Sequence, residues 1–254
     1  MKADITVLMS VYNNERTVGK SIESILWQTY PHFVFVIIND GSTDNSSSQI
    51  RKFSDKRIVY IDKNKNLGLT RRLNEQLDNV STHYVARMDA DDISRPDRLE
   101  KQHNFMTTHQ SYGAVGSNFK RVNAQGSLLW ESDFPLSSKD IRQRILLKNP
   151  FKHSILFFRT EILKTLGGYN EKFKYSQDYD LMLRLTAKYP VANLKECLLV
   201  DNHLDSALSQ THRFDQAKFA TLAQINALRR GDYPLFQSVF LFRSLGYLFK
   251  SWLS

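Results

Sequence analysis

The sequence predicts an α/β protein: a mixed, mostly parallel sheet flanked by helices, with a helical appendage at the C-terminal end. Three observations carry this reading. Continuous apolar runs of strand length recur in the first part of the chain, segments of helical period separate them, and beyond Ser206 every periodic segment is helical. Apolar strands without polar alternation are buried on both faces, as in parallel sheets covered by crossover helices.

Taken in order, residues 5–9 form the first apolar run and are followed by a polar cluster at 10–14. Val18, Ile22, Ile25 and Leu26 then recur at helical spacing, and Tyr30-Pro31 closes that helix. A second run, 33–38, ends at Asn39-Asp40-Gly41-Ser42. A short polar helix follows, then a strand at 58–61, a turn at 64–68 and a helix through Leu69, Leu73 and Leu77. The strand at 83–88 runs into the acidic segment 89–92. In the second half, 114–122 with a turn near Gln125-Gly126 reads as a mixed or antiparallel extension of the sheet, and 154–158 as a further strand. Gly167-Gly168 is a loop, 181–187 the core of a helix, and two helical segments close the chain, one around 219–228 and one from Tyr233 onward.

Over 254 residues, 41% hydrophobic and 24% charged residues with few Gly and Pro exclude disordered, collagen-like and disulfide-scaffold classes. The net charge of +9 favours an anionic partner, such as a phosphorylated small molecule or an acidic membrane face. Nucleic-acid binding has only that charge behind it and no recognised motif, so it is not expected. Cys197 alone permits no internal disulfide and cannot build a zinc site. Asp4 interrupts the N-terminal apolar run, which makes it a poor signal peptide, and no stretch approaches the ~20 apolar residues that span a bilayer. The expected location is the cytoplasm.

In an open parallel sheet, ligands bind beyond the carboxyl ends of the strands, where strand order reverses. The first strand delivers Ser10, Tyr12 and Asn13 to that edge, the second Asp40, and the fourth Asp89, Asp91 and Asp92. Carboxylates gathered there repel one another unless a cation intervenes, and Mg²⁺ or Mn²⁺ is the natural occupant. Helix capping is the competing role for such acids, and it suits Asp44 and Asp97. It does not account for Asp-Ala-Asp-Asp in one tight turn. Gly19-Lys20-Ser21 is not a phosphate loop, because Asn14 stands where the earlier Gly is required and the tripeptide lies inside a helix. No G-x-G-x-x-G follows the first strand.

The segments VLMSVYNNERTVGKSIESILWQTY (7–30), VIINDGSTDNS (36–46), NKNLGLTRRLN (64–74) and YVARMDADDISRPDRLEKQ (84–102) are followed by HSILFFRTEILKTLGGYNEKF (153–173) and SQDYDLMLRL (176–185). In this order and spacing the chain resembles the inverting family 2 glycosyltransferases of the GT-A fold. The resemblance implies that Asp40 hydrogen-bonds the nucleotide base, usually uracil, and that Ser10, Tyr12 and Asn13 wall the nucleoside. Asp89-Ala90-Asp91 is similar to the DxD motif, with Asp91 on the metal and Asp89 on ribose or a second metal position. Arg71 and Arg87 are candidates for the phosphates, or members of structural ion pairs. The catalytic base of the family lies in a Glu-Asp pair ahead of a helix. Here the pair is Gln177-Asp178, so Asp178 is the implied base, with Asp180 as the alternative and helix capping as the competing role. His203 falls where relatives carry a His after the last strand, in some a further metal ligand, although Asp201-Asn202 replaces the usual Tyr-Arg. His153 is read as structural.

These readings converge on a catalytic domain at 1–205, its nucleotide-sugar half at about 1–110 and its acceptor half at about 111–205, with a helical appendage at 206–254. The expected activity is metal-dependent, inverting transfer of a sugar from a nucleotide-sugar, a UDP-sugar above all, to a glycan or lipid-linked saccharide in surface-polysaccharide synthesis. Two rivals stand beside it: a glycan- or membrane-binding protein that lost catalysis with Gln177, and a nucleotidyltransferase, which the missing Gly-rich loop opposes. In the tail, Phe236, Phe240, Leu241, Leu245, Leu248, Phe249 and Trp252 form a broad apolar face, and Arg243, Tyr247 and Lys250 run along another. Two readings are open for it: packing on the domain, or an interfacial helix at 233–254 on an anionic membrane surface, which would place the protein on the inner face of the cytoplasmic membrane.

Overall fold

The computed structural model describes residues 3–123, 125–202, 212–241 and 246. Its centre is a nine-stranded mixed sheet. Strands β1 (Ile5–Val11), β2 (Phe33–Asp40), β3 (Ile58–Lys63) and β4 (Tyr84–Asp89) pair in parallel in the order β3-β2-β1-β4. Helices α1 (Val18–Leu26), α2 (Ser46–Ile50) and α3 (Leu69–Leu77) make the crossovers. The continuous apolar runs are explained by parity. Ile5, Val7 and Met9 enter one core cluster with Ile22, Ile25 and Phe35, while Leu8 enters the other with Leu73, Leu77 and Phe158. Each face of β1 is therefore covered, and no position is left for a polar alternation.

The sheet continues through β5 (Asp92–Ser94), β6 (Ala114–Val122), β7 (Leu128–Glu131), β8 (Phe157–Arg159) and β9 (Val191–Asn202). β6 runs parallel to β9 and antiparallel to β7 and β8, so the mixed extension is present. The turn near Gln125-Gly126 joins β6 to β7. The expected strand at 154–158 is corrected: His153–Ile155 is a 3-10 turn, and the strand begins only at Phe157. Periodicity alone cannot separate a short buried apolar run from a tight turn. The same limit hid β5 and β9, whose polar residues are held by tertiary partners.

Helices α4 (Arg98–Thr108), α5 (Ser138–Arg144), α6 (Thr160–Thr165), α7 (Gln177–Lys188) and α8 (Arg213–Arg229) complete the layers. In the appendage, α8 lies against α7 and contributes Ala223 and Ala227 to the main core cluster. Tyr233 is buried at its end, with its hydroxyl donating to the Leu183 carbonyl over 2.9 Å. Of the tail at 233–254, residues 242–245 and 247–254 lie outside the described residues, as does His203. Among the described residues, no helix is long and apolar enough to cross a membrane.

Candidate active site

The register sets the site. Ser10 of β1 lies opposite Asp89 of β4 on one side and Ile38 of β2 on the other, so the three strands end level at one edge. Beyond that edge is a cleft of about 1490 Å³. Ser10, Tyr12, Asn13, Asp40, Asp89, Ala90, Asp91 and Asp178 all line it. Arg71 and Arg87 do not.

One wall of the cleft is a pair of interlocked loops. Asn13 adopts a left-handed backbone (φ 54°), and its Oδ1 accepts from the Thr43 amide over 2.9 Å. The Asn14 amide donates to Ser46 Oγ over 2.8 Å, and Asp44 accepts from the amides of Glu15 and Ser46. Asp44 thus ties two loops together, while Asn45 takes the cap position of α2. Gly41 is required here: its φ is +70°, and a Cβ would meet the Lys65 carbonyl carbon at 2.6 Å.

Asp40 is 1% exposed and accepts from the Leu67 amide at 3.0 Å, the Gly68 amide at 2.9 Å and Arg72 Nε at 2.6 Å. Its carboxylate fixes the loop that opens α3. Arg72, not Arg71, is the ion-pair partner of Asp40. Arg71 is exposed, pairs with Glu75 at 3.3 Å and lines a separate pocket of about 310 Å³. Helical spacing could have made this distinction, because Leu69 and Leu73 face the core and Arg72 lies on their side of the helix.

Arg87 sits in a structural ion pair, the second of the two roles open to it. It is 1% exposed and bonds the carbonyls of Leu8 (2.7 Å) and Met88 (2.6 Å), the Asp89 carboxylate, and His153 Nε2 at 3.3 Å. Its donors are committed within the protein, and it serves as the anchor of Asp89. Burial works against the Asp89 charge, but Arg87 and Lys152 outweigh it and hold its pKa below the usual carboxylate value. Because an Arg Nε–H can only donate, His153 Nε2 is an acceptor here and its ring is neutral. Burial, reinforced by Arg87, accordingly drops the His153 pKa to about 3. Tyr169 packs on this imidazole with its hydroxyl 2.8 Å from Nε2. His153 therefore supports Asp89 from behind and also lines the cleft.

Asp89, Asp91 and Asp92 each bring a carboxylate oxygen within 4.8 Å of the others. Burial and the Asp89 charge push Asp91 up to about 6, and burial with both neighbouring acids pushes Asp92 up to about 7. Asp92 Oδ1 is buried with no hydrogen-bond partner among the described residues. Crowded carboxylates with raised pKa values and an orphaned oxygen are what a divalent cation would relieve, so the donor set fits Mg²⁺ or Mn²⁺. From the far side, Asn202 Nδ2 donates to the Asp91 carbonyl over 3.0 Å and pins the turn. Sequence reasoning missed two more residues: Asp201, held by Arg121 at 2.9 and 2.6 Å, and Lys152, 3.3 Å from Asp201 and 3.4 Å from Asp92.

Across the cleft, Asp178 is the second residue of α7, which Ser176 precedes in a left-handed conformation (φ 55°). Asn149 Nδ2 donates to Asp178 Oδ2 over 3.1 Å. Burial raises the Asp178 pKa against the pull of the helix-start amides, with Asp89 adding to the rise. Asp180 is 1% exposed and paired with Arg184 at 2.9 Å, outside the cleft. Gln177 lines the cleft beside Asp178, and α8 closes the outer wall through Gln216, Ala217, Ala220 and Gln224.

The glycosyl transferase family 2 model matches residues 6–167. An amylovoran biosynthesis glycosyltransferase of Erwinia amylovora is 34% identical over 199 residues, which cover 76% of this chain and 74% of that protein. An O-antigen biosynthesis glycosyltransferase of Escherichia coli is 35% identical over 202 residues, 77% of this chain and 78% of the relative. Among solved structures, S. aureus TarS 1–349 in complex with UDP-GlcNAc superposes with a TM-score of 0.77 at 20% identity, covering 98% of this chain and 73% of that one. A mannosyltransferase from Pyrobaculum calidifontis in complex with GDP-Man and Mn²⁺ gives 0.73 at 18% identity, covering 98% and 70%. At these identities the structural likeness concerns the GT-A fold.

Proposed function

The chain belongs to glycosyl transferase family 2 and is a glycosyltransferase of the GT-A fold; from this premise we propose metal-dependent, inverting transfer of a sugar from a UDP-sugar to a glycan or lipid-linked saccharide acceptor in surface-polysaccharide synthesis. The observation that carries the proposal is the meeting in one cleft of Asp89 and Asp91 at the strand edge, with the buried Asp92 carboxylate beside them, and Asp178 at the start of α7. The named relatives act in amylovoran and O-antigen biosynthesis, which supports the acceptor class.

In this reading Ser10, Tyr12 and Asn13 form the nucleoside wall and Asp40 faces the base while also shaping the Leu67-Gly68 loop. Asp89, Asp91 and Asp92 hold Mg²⁺ or Mn²⁺, which when bound supplies positive charge to the leaving nucleoside diphosphate. His203 is kept as a proposed further ligand. Asp178 takes the proton of the acceptor hydroxyl as that oxygen attacks the anomeric carbon opposite the leaving group. A carboxylate with a raised pKa is a stronger base, and the Asn149 amide fixes the orientation of one of its oxygens. Residues 1–205 are the proposed catalytic unit, with 206–254 supplying a cleft wall through α8 and a proposed membrane contact through 233–254.

The test is incubation of the purified protein with a panel of nucleotide-sugars, Mn²⁺ and polysaccharide-derived acceptors, with the product anomer assigned by NMR. Transfer with inverted configuration, abolished by chelation, is expected. Retained configuration, or transfer untouched by chelation, overturns the proposal.

A further inference from the structure

Lys152 stands out because the reaction described above makes no use of it. It is the residue before the His153–Ile155 turn, and it lines the cleft at the acidic end. Its Nζ lies 3.4 Å from Asp92 and 3.3 Å from Asp201. Charge-assisted N–H···O bonds close at about 2.7–2.9 Å, so these are loose ion pairs. The ring of Phe119 lies 5.6 Å away on another side. Of the other cations at this end, Arg87 is bonded to Asp89, Arg121 to Asp201, and the buried Arg98 to Gln102 and the Arg87 carbonyl. An ammonium carries three donors. The one on Lys152, held only by these loose pairs, therefore retains hydrogen-bonding capacity towards the cleft.

Charge balance gives this lysine a second consequence. Asp89, Asp91, Asp92 and Asp201 face Arg87, Arg98, Arg121 and Lys152, so the group is near neutrality before any dication enters. A site built for a metal alone would keep its carboxylates uncompensated. Here a positive charge is already held against Asp92, one of the three acids of the metal set.

We propose that Lys152 is a donor-binding residue whose ammonium engages the diphosphate of the nucleotide-sugar, so that nucleotide binding is partly independent of the metal and metal affinity without nucleotide is held down. This rests on the nucleotide-sugar reading of the cleft. Lys152 would turn from its two loose carboxylate pairs toward the incoming anionic oxygens, and Asp92 would pass to the cation that enters with the nucleotide.

The experiment uses the full chain as wild type, Lys152→Met and Lys152→Arg. Two quantities are measured calorimetrically: UDP affinity in EDTA, and Mn²⁺ affinity without nucleotide. Circular dichroism and melting confirm that each variant is folded. Wild type is expected to bind UDP in EDTA. Lys152→Met should lose tenfold or more of that affinity while binding Mn²⁺ several-fold tighter, and Lys152→Arg should stay near wild type in both. A purely structural lysine would weaken both ligands together in Lys152→Met, and that result overturns the proposal. Unchanged UDP affinity in EDTA overturns it as well. If Lys152→Met does not fold, Lys152→Arg and Lys152→Gln carry the comparison, with the same opposite movement expected in the glutamine variant. Wild type that binds no nucleoside diphosphate, with or without Mn²⁺, overturns the nucleotide-sugar reading and this proposal with it. Binding by wild type that the variants do not alter overturns the lysine proposal alone.

Discussion

Asn149 and Asp178, 29 residues apart in the chain, meet on the wall of the cleft through a 3.1 Å hydrogen bond from the amide nitrogen to one carboxylate oxygen. The contact gives a half-buried acid a defined orientation without a formal positive charge beside it. A cationic partner would lower the pKa and weaken the base, whereas a neutral amide leaves the effect of burial dominant.

Asp178→Asn is therefore expected to reduce turnover by about 10²–10⁴, the usual range for a lost general base, with donor affinity within a few fold of wild type. The substitution keeps the size of the side chain, and Ser176 rather than Asp178 occupies the cap position of α7, so the helix start is expected to survive. Steady-state kinetics with separate measurement of nucleotide binding checks it, and a near-wild-type rate would remove Asp178 from the role.

Arg72 and Arg71 should differ sharply although they are adjacent. Arg72→Ala leaves Asp40 buried without its ion partner, which costs about 3–5 kcal/mol. At ~2–4 °C per kcal/mol for a chain of this size, melting should fall by roughly 6–20 °C. Arg71→Ala removes an exposed pair and should stay within about 0.5 kcal/mol of wild type. Equal melting temperatures for the two variants would contradict the assignment.

Metal affinity should rise with pH. Asp91 and Asp92 sit at about 6 and 7 in the metal-free fold, well above their ordinary value, so both carry protons at pH 5.5 that a cation must displace. By the same sign, the metal-free protein loses stability as pH climbs from about 4 to 7, because the folded state there binds more protons than the unfolded one. Titration calorimetry at pH 5.5 and 7.5 is expected to show Mn²⁺ binding at least tenfold tighter at the higher pH, and Asp92→Asn should flatten the dependence.

The interfacial-helix reading of 233–254 predicts sedimentation with anionic vesicles that weakens with added salt, since exposed charges are screened within ~10 Å at 0.1 M. Arg243→Glu combined with Lys250→Glu should release the protein. Vesicle binding that ignores both salt and substitution would leave packing on the domain as the role of the tail, continuing the docking that Tyr233 begins.

Much of the site was legible because its residues follow strands whose apolar runs mark them. Once β1, β2 and β4 are parallel neighbours, Ser10, Asp40 and Asp89 must emerge at the same edge. Arg71 and Arg87 show where such reading stops short. Both stand in the matching segments, but α3 turns Arg71 outward, and strand alternation sends Arg87 to the covered face that Val85 also occupies. Helical and strand periods contain both facts, once they are applied to charged residues as strictly as to apolar ones.

By itself the sequence determined the α/β alternation, the carboxylates at the strand edge and the position of Asp178, because each is written in local period or in a contiguous motif. Tertiary structure alone decided the company those acids keep. Lys152 comes from the approach to a short turn, Asp201 from the end of β9 and Asp92 from the start of β5, and it is the pairing of β5 with β9 that sets Asp92 opposite Asp201. No local spacing encodes that meeting, since the charge balance of a buried site depends on distances between segments that only packing brings together.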